Sequence, residues 1–345
     1  MKVVKKIRGK FYMFKSKLLL GSLTAFALAF AIQTSNAHAD EVVTKNSNGI
    51  EITETEYQNL TNLGFSDLAI NQMDQEAFDE NKDLKVDSQV ETTKYYEVKE
   101  STDSNNNLST NFKNKMLNNK NDNNDNYTTT ELTKEEYYKR VNKVKSEEQN
   151  TNQSVLKNGS KTLAANDTSS TSYRKLTTSI QRIGTTLRLF DEFVWDVVPS
   201  TRSYDVLTTS IDSTFSPVAG SQHGQQIWSY THPKLGGFYG DNAVYNSSST
   251  TWNKQSAGYG VKMNLKDDTS TLRVTELEGY MYYNITRNSS VIPKLVNAYG
   301  NYSHAKSTVS SSYSYSLSFG GPAIGWSGVS STSFDQLTTH AQTGY

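Results

Sequence analysis

Cysteine is absent from all 345 residues. That excludes a disulfide framework and any thiolate metal site. Neither charge is in excess, because 35 basic residues balance 35 acidic ones, and no clustered basic face marks a nucleic-acid binder. The five histidines form no His-x-His or His-x-x-x-His pattern, so no metal is expected. His223 and His232 flank a strand-like stretch centred on Ile227 and Trp228. Their offset of nine sends them to opposite faces of an unbroken strand, and they read as exposed or loop residues. No Gly-x-Ser-x-Gly elbow and no cofactor motif is present, so a serine hydrolase has no support and no cofactor is expected.

Apolar stretches are short as well. The one substantial run, residues 18–32, is brief for a bilayer span. It follows seven basic residues with no acid among them, and precedes Ala37-His38-Ala39. This is the pattern of a signal peptide over residues 1–39, cleaved before Asp40, although Met13 could also serve as the start. No Cys follows the run, and the carboxyl end has neither a hydrophobic tail nor a Leu-Pro sorting motif. The expected protein is therefore secreted and extracellular, released or held non-covalently at the cell surface. An exported chain of this size without Cys fits a Gram-positive-type bacterium.

Behind the leader the chain carries 28 basic and 35 acidic residues, a net of −7. The acid excess lies in residues 40–168, whereas residues 169–345 are nearly neutral. Residues 50–88 read as a small helical unit. Thr53 or Thr55 caps a first helix, Gly64 ends it, and Ser66 and Asp74 cap two more. Tyr57, Leu60, Leu63, Phe65, Leu68, Met73 and Phe78 supply apolar stripes at spacings of three and four. Such a unit is marginal alone and needs something to lean on.

Residues 101–170 read as a disordered Asn-rich linker, with eleven Asn between positions 105 and 126. A helical island at residues 133–144, opened by a Thr133 and Glu136 capping box, reads foremost as a transient helix within that tether. From residue 171 onward the rhythm becomes two. Tyr313, Tyr315, Leu317 and Phe319 alternate with Ser, and Tyr259, Val261, Met263 and Leu265 alternate with Gly, Asn and Lys. Leu187, Leu189, Phe193, Trp195 and Val197 form a third strand. A tight turn at residues 198–201 would set Trp195 opposite Tyr204. Between Leu272 and Ile285 the parity switches, which predicts a bulge near residues 276–279. The fold class is mainly β: an antiparallel β-sandwich over residues 171–345, preceded by the helical unit and linker, with one sheet face buried and the other wet.

Functional signals are thin. Glu276 and Glu278 form the only same-face carboxylate pair in a probable strand, so they are the sole catalytic candidates for a hydrolase, against a plain solvent face beside the bulge. Asp267-Asp268 reads as a turn. Twenty-one tyrosines suit recognition of a protein or sugar when displayed in rows, and Tyr280, Tyr282, Tyr313 and Tyr315, with Trp326, are the binding candidates. Half-buried sheet residues give the same pattern. The Ser-rich alternation at residues 307–318 also allows a β-pore-forming toxin-like protein, the one reading that brings in a membrane. The expected function is thus a secreted, non-enzymatic binding module for an extracellular protein or carbohydrate.

Glu54, Tyr57, Leu63-Gly64-Phe65, Met73-Asp74 and the run Glu80-Asn81-Lys82-Asp83-Leu84 resemble a segment of uncharacterised secreted proteins of Bacillus-like Firmicutes. The pattern Tyr173-Arg174-Lys175-Leu176, Trp195, Pro199, Arg202 and Ser203-Tyr204-Asp205 is similar to the opening of their β region. The resemblance covers roughly 70 residues and implies segmentation, with no activity or site attached. Arg202 and Asp205, three apart, fall on opposite faces of an extended strand and read as structural.

Overall fold

Local sequence signals set the helix starts. Thr53 opens α1 (Glu54–Asn62): its hydroxyl accepts from the Glu56 N–H at 3.3 Å while the Glu56 carboxylate accepts from the Thr53 N–H at 2.9 Å. Gly64 follows at φ +92°, a conformation in which a Cβ is costly. Ser66 caps α2 (Asp67–Gln72) and Asp74 caps α3 (Gln75–Asn81), each accepting an N–H three residues on. Thr133 and Glu136 form the same reciprocal pair at the start of α4 (Lys134–Asn158).

The structure is a computed structural model that describes residues 42–101, 127–158, 169–232, 237–288, 290, 292–317, 324–327 and 333–345. The proposed leader and the Asn-rich tract 105–126 lie outside the described residues. In chain order the strands are β1 (Val42–Lys45), β2 (Glu51–Thr53), β3 (Ser88–Ser101), β4 (Tyr127–Leu132), β5 (Ser169–Ile183), β6 (Thr186–Val197), β7 (Tyr204–Ile211), β8 (Phe215–Pro217) and β9 (His223–Thr231). They continue with β10 (Phe238–Tyr245), β11 (Trp252–Gln255), β12 (Gly258–Asn264), β13 (Arg273–Arg287), β14 (Leu295–Ala305), β15 (Ser314–Leu317), β16 (Ile324–Ser327) and β17 (Phe334–Gly344).

Two antiparallel sheets face one another. The larger runs β10-β9-β13-β6-β5-β3-β4, with β8 also on β13, and the smaller runs β11-β12-β7-β14-β17. Between them lie Leu176, Ile180, Leu189, Phe193, Trp195, Leu207, Val261, Met263, Met281, Tyr283 and Tyr302, all buried. This is the β-sandwich that the period-two pattern predicts. The bulge on β13 falls between Val274 and Glu276, at the edge of the expected stretch. Gly279 is needed for close approach, since a Cβ there would meet the Phe193 ring at 2.5 Å.

Three expectations change. First, a turn after Val197 does not pair Trp195 with Tyr204. Trp195 sits opposite Arg174 and Leu277 in the large sheet, while Tyr204 sits opposite Asn264 in the small one. The chain crosses between layers there, and the Trp195 indole N–H donates to the Tyr302 hydroxyl at 2.9 Å. Second, the outer face of the large sheet is not uniformly wet. Helices α1 to α3 cover it, packing Leu60, Leu63, Phe65, Met73 and Phe78 on Phe190, Ile227, Tyr280 and Tyr282. Third, the boundaries at 88, 101 and 170 do not separate folding units, and the described residues belong to one compact unit. β3 pairs with β5 over its whole length, β4 pairs with β3, and α4 covers that end through Tyr137 and Val141 against Tyr173 and Leu132. Tyr137, Val141 and Val144 share one side of α4, and that side is packed against the sheet rather than belonging to a transient helix in a tether.

Candidate functional site

On the outer face of the large sheet, the α1 to α3 layer and α4 leave a groove of about 260 Å³. Its floor comes from three adjacent strands. Val194 on β6 lies opposite Lys175 on β5 and opposite Glu278 on β13. Glu192 and Asp196 flank Val194 on the same face, because side chains two apart in a strand point the same way. Ser66, Asp67 and Leu68, at the start of α2, form one wall. On the other side Asp196 is held by α4: the Tyr137 hydroxyl donates to Asp196 Oδ2 at 2.8 Å and Lys145 Nζ lies 3.7 Å from Oδ1.

The charges here perturb one another. Glu278 is 7% exposed, and its carboxyl is pushed up to about 8, by burial first and by the Glu192 charge second. The Ser66 hydroxyl donates to Glu278 Oε1 and opposes the shift. Glu192, half-buried, is pushed up to about 7 by burial, with Lys175 pulling the other way. Burial lowers Lys175, but Glu192 and Asp196 outweigh it and leave the amine above its ordinary value. Near neutrality the floor therefore holds one ammonium beside two carboxyls that are partly protonated. Such carboxyls both donate and accept hydrogen bonds.

Glu276 and Glu278, paired by sequence, both line this groove, but unequally: Glu276 is exposed at its edge and Glu278 is buried in its floor. Glu192, Lys175 and Asp196 escaped the sequence reading. The signal for Glu192 and Asp196 was present in β6, where Phe193 and Trp195 fix the core parity and so assign Glu192, Val194 and Asp196 to the other face, while Lys175 reaches the same face only through the β5-β6 register.

The tyrosine candidates are packed rather than displayed, with exposures between 1% and 7%. Tyr280 lies between Phe65 and Phe190, and its hydroxyl donates to Gln225 Oε1 at 2.7 Å. Tyr282 donates to Glu80 Oε2 at 2.8 Å, with the Arg188 guanidinium 3.5 Å from its ring centre. Tyr313 and Tyr315 bury against Val206, Ala257, Ala305 and Phe334 on the far side of the small sheet. The helices and the β15-β16 pair supply cover that a strand pattern does not reveal. Trp326 lies opposite Tyr315 in that pair, and its side chain is outside the described residues. His223 is buried, with Nε2 3.2 Å from Asp74 Oδ2, rather than exposed or in a loop.

Asp205 belongs to a sealed core chain, accepting from the Tyr302 hydroxyl, from the Ala305 N–H at 3.0 Å and lying 2.8 Å from His304 Nδ1. Arg202 pairs with Asp267 and Asp268 at 3.3 and 2.9 Å. Arg202 lies before β7 and Asp205 within it, so the two do not share one strand, and each is engaged with its own partners. Among the described residues no three His, Cys, Asp or Glu side chains converge as metal ligands, and no helix is long and apolar enough to cross a membrane.

No family model and no curated protein matches this chain. A solved structure described as a pore forming protein is similar over 50% of this chain and 86% of its own, with 6% identity and a TM-score of 0.21. A likeness at that level carries no argument.

Proposed function

We propose that this protein is a secreted, non-enzymatic binding module that holds a hydroxyl-bearing extracellular ligand, a carbohydrate, in the groove floored by Lys175, Glu192 and Glu278. The observation that carries the proposal is the pairing of two raised carboxyls with an ammonium in one recess. A sugar hydroxyl both donates and accepts, and so do the protonated carboxyls, whereas a basic peptide would want them fully ionised. The volume suits one or two sugar units of a longer polymer more than a drug-sized molecule. Hydrolysis fits less well, since Glu276 and Glu278 project from one strand and cannot flank a glycosidic bond from opposite sides. Calorimetric titration of neutral oligosaccharides into the protein at pH 6.5 tests the reading. Binding that weakens about tenfold or more in Glu278→Ala and in Lys175→Ala supports it, and absence of binding across a broad oligosaccharide panel removes it.

One further observation favours a membrane-active alternative. Among the described residues β15 and β16 pair as strands with each other and with neither of the two facing sheets, so side-chain packing such as that of Tyr315, and no strand ladder, joins them to the sandwich. Dye release from liposomes at micromolar protein is the expected result of that alternative, and intact liposomes would exclude it.

A further inference from the structure

A sugar ring has two kinds of surface, hydroxyls around its rim and C–H groups on its faces, and the faces pack on flat apolar area. The groove floored by Lys175, Glu192 and Glu278 serves the rim. Among the described residues its lining offers no outward aromatic ring, because the Trp195 indole is turned into the core, where it donates to Tyr302. Register shows where such a ring lies. Glu278 on β13 stands opposite Val194 on β6, Val194 opposite Lys175 on β5, and Lys175 opposite Tyr95 on β3. Directly opposed residues share a face, so the four form one row across the outer side of the sheet. At the ordinary spacing of strands the row is roughly 14 Å long, and the tyrosine lies at the end away from Glu278 and Ser66.

Tyr95 has a companion there. Tyr138, on α4, meets it edge-on with ring centres 5.9 Å apart, and both side chains are partly exposed. Tyr137, their neighbour, is fully buried and turns its hydroxyl to Asp196, so its part is to hold α4 in place. The Tyr95 hydroxyl is raised by burial first and by Tyr138 second, with the Lys175 ammonium opposing the shift, which accords with all three groups meeting at that end of the groove. An ammonium for the rim beside two partly open rings for the face is a surface on which a pyranose can lie flat. A pyranose with every hydroxyl equatorial leaves its faces free for this contact, whereas an axial hydroxyl stands between sugar and ring.

We infer, resting on the carbohydrate reading of this groove, that Tyr95 and Tyr138 form a further subsite that packs the unit following those in the groove, and that the ligand is an oligosaccharide of all-equatorial pyranoses. The probes are cellobiose and cellotetraose, with N-acetylated chitobiose and chitotetraose, each titrated into the full chain by calorimetry. In at least one series the tetrasaccharide binds more tightly than the disaccharide. Tyr138→Ala and Tyr95→Ala each weaken that tetrasaccharide at least about fivefold and change the disaccharide less than about twofold. Tyr138→Phe keeps the wild-type affinity, because the ring and not the hydroxyl makes the contact. Tyr138 is partly exposed on a helix, so its variants retain the fold and keep the test decisive should Tyr95→Ala unfold. Tetrasaccharide affinity unchanged in Tyr138→Ala, a loss equal for both lengths, or a loss in Tyr138→Phe as large as in Tyr138→Ala overturns the inference. Binding that needs Glu278 and Lys175 but not the tyrosines overturns this subsite alone and leaves the groove reading standing. So does binding of other sugars with none of these four probes.

Discussion

Glu278 is where burial and charge conflict most directly in the proposed ligand groove. Its carboxyl titrates near 8 in the fold against an ordinary 4.5, so between those values the native state holds a proton that the unfolded chain has released. Stability contributed by that proton is full at acid pH and is lost as pH rises toward 8. For a one-proton difference the slope is at most about 1.4 kcal/mol per pH unit. Glu278→Gln keeps an acceptor for the Ser66 hydroxyl but cannot ionise. Chemical unfolding at pH 5.5 and 8.5 should therefore show wild type losing more stability than the variant, with the variant the more stable at pH 8.5. Equal losses would mean that the carboxylate is ionised in the fold at no cost. The residue type and its strand were legible in sequence, but its burial was not, because Ser66 reaches it from 212 positions away.

Phe65 does for the helical layer what Glu278 does for the groove. It follows the left-handed Gly64 and precedes the Ser66 cap, and its ring packs edge-on to Phe190 and Tyr280 at centroid distances of 5.4 and 5.0 Å. Three short helices of nine, six and seven residues are too brief to persist in water by propensity, so docking must hold them. Phe65→Ala should cost about 3–5 kcal/mol in denaturant unfolding. It should also lower ligand affinity at the groove, because the Ser66 wall is one residue away. A loss below 1 kcal/mol would show a loosely seated layer. Capping chemistry made these helices readable one by one, since the signals lie within four residues of each start. Their docking partners on β6, β9 and β13 were hidden, because Phe190, Ile227, Tyr280 and Tyr282 look like the wet-side residues of alternating strands until something covers them.

The same reasoning decides what can be cut away. β12, β13 and much of β6 stood out by alternation, whereas β3 did not: its sequence SQVETTKYYEVKES is rich in charge, as befits a strand whose outer side chains, Glu97 among them, pair with Lys99 and Arg140 at 2.9 and 2.7 Å. Strand order places β3 inside the large sheet, between β5 and β4. A fragment of residues 169–345 therefore loses the partner of β5 along fourteen residues and uncovers Phe190, Ile227, Tyr280 and Tyr282 together. An unpaired edge and a contiguous apolar patch both favour association between copies. Sedimentation velocity should show this fragment as oligomers or aggregate at concentrations where the chain from residue 42 to 345 is monomeric. Adding residues 42–101 back as a separate polypeptide should restore monodispersity in part, through strand pairing on β5. A monomeric, cooperatively unfolding fragment would mean that the sandwich closes without β3 and that the helical layer is an accessory, returning the boundary near residue 170 to the status of a true domain edge.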